Sequence, residues 1–184
     1  MEIKITTRQI LKLLYVLAWI IFIGLCIEAG AFIFNTFYTL VIKPEAASRF
    51  WNGIDLSGLY KHDRGYFFVE TLLMTVVAVL KAIMFYLIVK ILHNKKLNMS
   101  QPFSKDMYRF VIKIAYLVLG IGLFSWKGVE LAEWFSKQGV KMPTIQQLSL
   151  GGADVWLFMS VTLFVIAQIF KRGIEIQTEN ELTV

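Results

Sequence analysis

Little in this chain is reactive, and little of it is charged. Of its 184 residues one is cysteine, two are histidine, and 17% are Asp, Glu, Lys or Arg. The lone Cys26 excludes an intrachain disulfide, and with it the paired-cysteine chemistry of a membrane thiol oxidase. His62 and His93 fall in segments expected on opposite faces of a membrane, so they cannot share a metal ion. A zinc site of His62 with Asp55, Asp63 or Glu45 is the one arrangement left, and a lone His in an acidic loop is ordinarily solvated instead. No phosphate-binding glycine loop, nucleophile elbow or H-E-x-x-H occurs. No catalytic, cofactor-binding or metal-binding residues are therefore assigned, no cofactor is expected, and the chain is not read as an enzyme. A soluble domain of this length would also carry more charge.

What the chain has instead is apolar length, with 57% of its residues hydrophobic. Four stretches, 13–42, 66–92, 107–126 and 154–170, are flanked by Lys, Arg or Trp. A hydrocarbon core of about 30 Å needs roughly 20 apolar residues as helix, because backbone N–H and C=O groups in lipid must be satisfied within the segment. The expected fold is all-α: a polytopic membrane protein, a four-transmembrane-helix bundle forming one membrane domain over residues 1–184. The spans and their loops leave no room for a soluble catalytic module. Ala29-Gly30-Ala31 mimics a signal-peptide cleavage site, but the apolar run continues through Phe32, Ile33 and Phe34 to Ile42, so a span is expected there.

The net charge of +6 lies largely at span ends, as in Lys4, Arg8 and Lys12, then Lys90, Lys95 and Lys96, then Lys171 and Arg172. That placement reads as orientation and contact with the lipid bilayer, not direct nucleic-acid binding. Lys and Arg on the opposite side are diluted by Glu45, Asp55, Asp63, Glu130 and Glu133. The bias places both termini in the cytoplasm. The loop 43–65 mixes turn formers with large apolar residues, so an ordered loop packed on the bundle mouth is expected. Residues 126–137 read as an interfacial continuation of the third span, ended by Gly139 and Pro143. Ser104 is the expected N-cap of that span, with Phe103 and Tyr108 able to meet across it. Gly120-x-Gly122 fits close helix packing.

Polar groups inside the spans are few. Glu28 and Lys81 lie deepest, and an unpaired charge at the bilayer centre costs roughly 3 kcal/mol. Three readings stay open: a Glu28–Lys81 pair, separate satisfaction by neighbours or snorkelling, and a proton or ion pathway. Asn35 and Glu70 could extend this cluster outward, although their place near span ends favours interfacial solvation. Lys113 reads as snorkelling, and Gln168 as an interhelical hydrogen bond.

After Lys171 and Arg172 comes a polar, acidic tail, 171–184, whose last residues are Glu179-Asn180-Glu181-Leu182-Thr183-Val184. On composition alone it is a frayed helix end. The run Ile54-Asp55-Leu56-Ser57-Gly58-Leu59-Tyr60, the inner Pro102-Phe103-Ser104 and this ending together resemble domain-of-unknown-function family 2975 of bacterial membrane proteins. The resemblance implies a four-helix inner-membrane protein without an established activity. It also implies a cytoplasmic partner, since members are often encoded beside a small helix-turn-helix regulator, and it makes Glu179, Asn180, Glu181, Leu182, Thr183 and Val184 the expected docking tail. A non-enzymatic regulatory or interaction protein is the leading functional expectation. A small-molecule or ion binder or transporter built on Glu28, Asn35, Glu70 and Lys81 is the alternative, and the sequence leaves a homo-oligomer open.

Overall fold

The computed structural model describes residues 7–93 and 103–181, with side chains described over 9–93 and 103–179. Among the described residues the regular elements are all helical. The four long helices are α1 (Thr7–Phe37), α3 (Arg64–His93), α4 (Lys105–Lys137) and α5 (Ala153–Glu181), with the short α2 (Ser57–His62) in the first outer loop. Each long helix is long and apolar enough to cross a membrane. Four crossings return both termini to one side, the side the Lys/Arg bias assigns to the cytoplasm.

The helices pack in sequence: α1 on α3, α3 on α4, and α4 on α5, with no substantial interface between α1 and α5. Burial follows this order. A third of the most apolar window is buried in α3 and in α4, against 6% in α1 and 11% in α5. The inner pair therefore forms the core, and the outer pair gives most of its surface to lipid. Gly120 and Gly122 serve different neighbours on α4. A Cβ at Gly120 would lie 3.2 Å from Leu80 of α3, and one at Gly122 would lie 2.8 Å from Leu157 of α5. Both approaches are close because glycine adds no side chain to the contact.

Helix ends follow local chemistry. The Ser104 hydroxyl accepts from the Met107 amide at 3.2 Å, capping α4 as expected. Phe103 packs on Phe170 and Gly173 of α5. Residues 126–137 continue α4 without a break, burying Ala132 and Phe135, so this segment extends the span straight out of the bundle before Gly139 (φ +82°) turns the chain. The fourth span differs most from expectation. Its helix runs eleven residues beyond Phe170, to Glu181. Of the expected docking tail, Leu182, Thr183 and Val184, like Pro102, lie outside the described residues.

The first outer loop is ordered. After α1 the chain makes one π turn (Tyr38–Ile42) and a 3-10 helix (Pro44–Arg49) before reaching α2. Phe50, Leu56 and Leu59 are buried, and stacked and edge-on rings run from Phe32 through Phe50 and Phe67 to Tyr60. The loop thus lids the bundle mouth.

Candidate functional site

The second outer segment, 138–152, connects α4 to α5 by dipping into the bundle. Thr144 starts a turn in which its amide and hydroxyl both donate to the Gln147 side-chain oxygen. Backbone bonds from Leu148 to Thr144 and from Leu150 to Ile145 tighten it. Leu148 and Leu150 are fully buried, and Leu150 seats against Gly128 of α4, where a Cβ would approach it to 2.5 Å. Between the two leucines Ser149 is forced to φ +59°, a conformation that non-glycine residues seldom adopt and that surrounding structure must hold in place.

That conformation turns both polar groups of Ser149 toward intramembrane charges. Its hydroxyl donates to Glu28 Oε1 of α1 at 2.5 Å, and its carbonyl accepts from Lys81 Nζ of α3 at 3.0 Å. The Lys81 ammonium also lies 5.8 Å from the Trp156 ring centroid of α5. Contacts of Tyr15 with His93 and Phe22 with Tyr86 set the α1/α3 register, and the same register places Glu28 level with Lys81. The two charges are joined through one serine rather than by a direct ion pair. Charge-assisted hydrogen bonds of this kind satisfy groups that lipid cannot. The arrangement is a latch: the outer loop locks α1 to α3, and α5 starts two residues after Gly151.

The other members of the expected polar cluster do not join it. The Asn35 side chain donates to Ala31 O at 2.8 Å, a bond within its own helix. Glu70 is the larger departure. Interfacial solvation was the expectation near the span end, yet Glu70 is 0% exposed. Neither carboxyl oxygen has a hydrogen-bond partner, and Thr39 Oγ1, Tyr60 OH and Ser125 Oγ are likewise buried without one. The α1/α3 register puts Thr39 level with Glu70. Gln168 is exposed on α5, with no interhelical bond, and Lys113 is exposed as expected.

The two outer loops are tied to each other outside the membrane. Asp55 accepts from the Ser57 hydroxyl at 2.6 Å and from the Ser57 amide at 3.0 Å, and Lys141 Nζ lies 3.4 Å from its other oxygen. The Ser57 hydroxyl first, then its amide, with a smaller contribution from Lys141, hold this carboxyl below the usual range despite some desolvation. A Cβ at Gly58 would meet the Lys141 carbonyl oxygen at 2.6 Å, so only glycine lets the two backbones approach this closely. His62 packs edge-on to Phe135, and His93 Nδ1 lies 3.0 Å from the Tyr15 hydroxyl. Among the described residues no group of three His, Cys, Asp or Glu side chains could hold a metal.

Ser149 is the residue that sequence reasoning missed. Its signal was slight: a polar residue between two leucines, followed by Gly151-Gly152.

A family model described as "Protein of unknown function (DUF2975)" matches residues 42–184. The chain belongs to that family. It is a multi-pass protein of the bacterial inner membrane. No curated protein and no solved structure matches the chain. Lys81, Ser149 and Glu70 lie inside the matched region, and Glu28 lies N-terminal to it.

Proposed function

We propose that the protein is a non-enzymatic regulatory or interaction protein that links the outer face of the membrane to a cytoplasmic docking segment. The observation that carries this reading is the continuity of α5, a single 29-residue helix that begins directly after the latched loop. At 1.5 Å per residue such a helix is about 43 Å long, so it clears a hydrocarbon core of about 30 Å with roughly two and a half turns to spare. Release or strain of the Ser149 latch would reach the cytoplasm through one rigid element.

The cytoplasmic end of α5 offers a surface for a partner. A cleft of about 450 Å³ lies beside it, with Phe103, Ile169, Gly173 and Ile176 on its apolar side and Arg172 and Gln177 on its polar side. Glu179, Asn180 and Glu181 follow on the same helix. The family resemblance favours a helix-turn-helix regulator as the partner, with acidic side chains meeting a basic surface. The alternative, a binder or transporter of small molecules or ions, has less support, because Glu28 and Lys81 are already engaged by Ser149 and Asn35 by its own helix.

Reading the adjacent gene, and co-expressing with the chain a helix-turn-helix regulator that it encodes, tests the proposal. Deleting Glu179 to Val184 is expected to abolish co-purification of that protein while leaving insertion and melting temperature nearly unchanged. Equal co-purification by the full-length and truncated chains would contradict docking at the tail. A large loss of thermal stability would show that the tail is structural.

A further inference from the structure

At the cytoplasmic ends of α3 and α4 a cleft of about 240 Å³ opens between the two helices. Its walls come from one stripe of each helix. Lys90 lies between Leu87 and Ile91 on α3, while Arg109 and Lys113 flank Phe110 on α4, with Asp106 one turn nearer the helix start. Three cations and one carboxylate leave the cleft with a net charge of +2. Lys90 is not a free snorkelling chain, for its ammonium lies 5.9 Å from the Tyr86 ring centroid, a contact that holds it in place. Asp106 and Arg109 lie within the first two turns of α4, where the positive end of the helix dipole adds to the attraction for an anion.

We propose that this cleft binds the head group of an anionic glycerophospholipid of the phosphatidylglycerol type. A guanidinium offers two parallel donors to a phosphate diester, and two ammonium groups neutralise what remains. Leu87, Ile91 and Phe110 meet the glycerol backbone and upper acyl carbons. The volume is below that of ordinary ligand pockets, about 300 Å³ and upward, so it fits a head group and not a protein segment. The cleft also lies at the depth where head groups lie, one to two turns inside the helix ends.

The test uses the full chain in nanodiscs of phosphatidylcholine with and without phosphatidylglycerol, and measures both melting temperature and lipids retained in native mass spectrometry. Phosphatidylglycerol is expected to raise the melting temperature and to stay bound. The double variant Arg109→Gln, Lys113→Gln should weaken retention about thirtyfold, because each cation near an anionic surface is worth about a factor of five in affinity. The control variant Lys171→Gln, Arg172→Gln removes the same charge on the cytoplasmic half of α5, away from the cleft, and should retain the lipid. Equal losses in both variants would reduce the effect to general surface attraction and overturn the site. So would equal behaviour of wild type in the two lipid compositions. Inorganic phosphate added to the protein in detergent is expected to give no comparable shift, and a full shift from phosphate alone would overturn the lipid as the source. Cysteine labelling of the variants at the exposed Lys61→Cys in a Cys26→Ser background confirms that the topology is unchanged.

Discussion

Lys81→Met lowers the melting temperature of the protein, and adding Glu28→Gln to it restores part of the loss. The single substitution removes the ammonium that Ser149 O accepts from and leaves Glu28 as a charge in apolar surroundings, held only by the Ser149 hydroxyl. Hydrogen bonds to charged groups contribute about 1.5 to 3 kcal/mol each, so a loss of about 2 kcal/mol is expected from Lys81→Met. Neutralising Glu28 then removes an uncompensated charge, which makes the double variant less destabilised than the sum of the singles by about 1 kcal/mol. Ser149→Ala should break the link to Glu28 and keep the carbonyl bond to Lys81, giving a smaller loss than Lys81→Met. Thermal unfolding of the four proteins in one detergent measures these differences. Strict additivity of the Glu28 and Lys81 effects would remove the coupling through Ser149.

Glu70→Met raises stability. The carboxyl is fully buried, both its oxygens lack partners, and the rings of Phe67 and Tyr60 crowd the helix turn above it. A buried polar group without a hydrogen bond costs about 1 to 3 kcal/mol, and methionine fills similar space without that cost. Glu70→Gln, whose amide is equally unpartnered, should give little of the gain. Melting temperatures of both variants decide the matter, and a clear loss with Glu70→Met would show that the carboxyl is a stabilising element.

The spans, the α4 cap at Ser104 and the glycine contacts at Gly120 and Gly122 were all legible in the sequence, because each depends on local pattern: apolar length, a capping side chain, small residues on a helix face. The site was legible only in part. Glu28 and Lys81 announced themselves as charges in apolar runs, but their common level shows only in the α1/α3 register. Their connection was not legible either, since Ser149 lies far away in sequence and reaches them only through a positive-φ turn that tertiary packing imposes. Glu70 was misplaced for a related reason. Nearness to a span end implies solvent only if nothing covers that end, and here Glu70 is fully buried. Asn35 donates to its own backbone, a bond within one helix that its spacing from Glu28 does not reveal. The length of α5 was underestimated because hydropathy ends at Phe170, whereas helical hydrogen bonding continues through a polar sequence that lipid does not require.

Hydrogen exchange on wild type and Lys81→Met, compared across residues 145–151 and 174–181, tests most directly whether the latch and the cytoplasmic end of α5 are one mechanical unit. The structure predicts slow exchange at Leu148, Ser149 and Leu150 in the wild type, where backbone bonds to Thr144, Gln146 and Ile145 hold the turn. In Lys81→Met both segments should exchange faster, the second without any change in its own sequence. Faster exchange confined to 145–151, with 174–181 unaltered, would contradict the link between the outer loop and the cytoplasm.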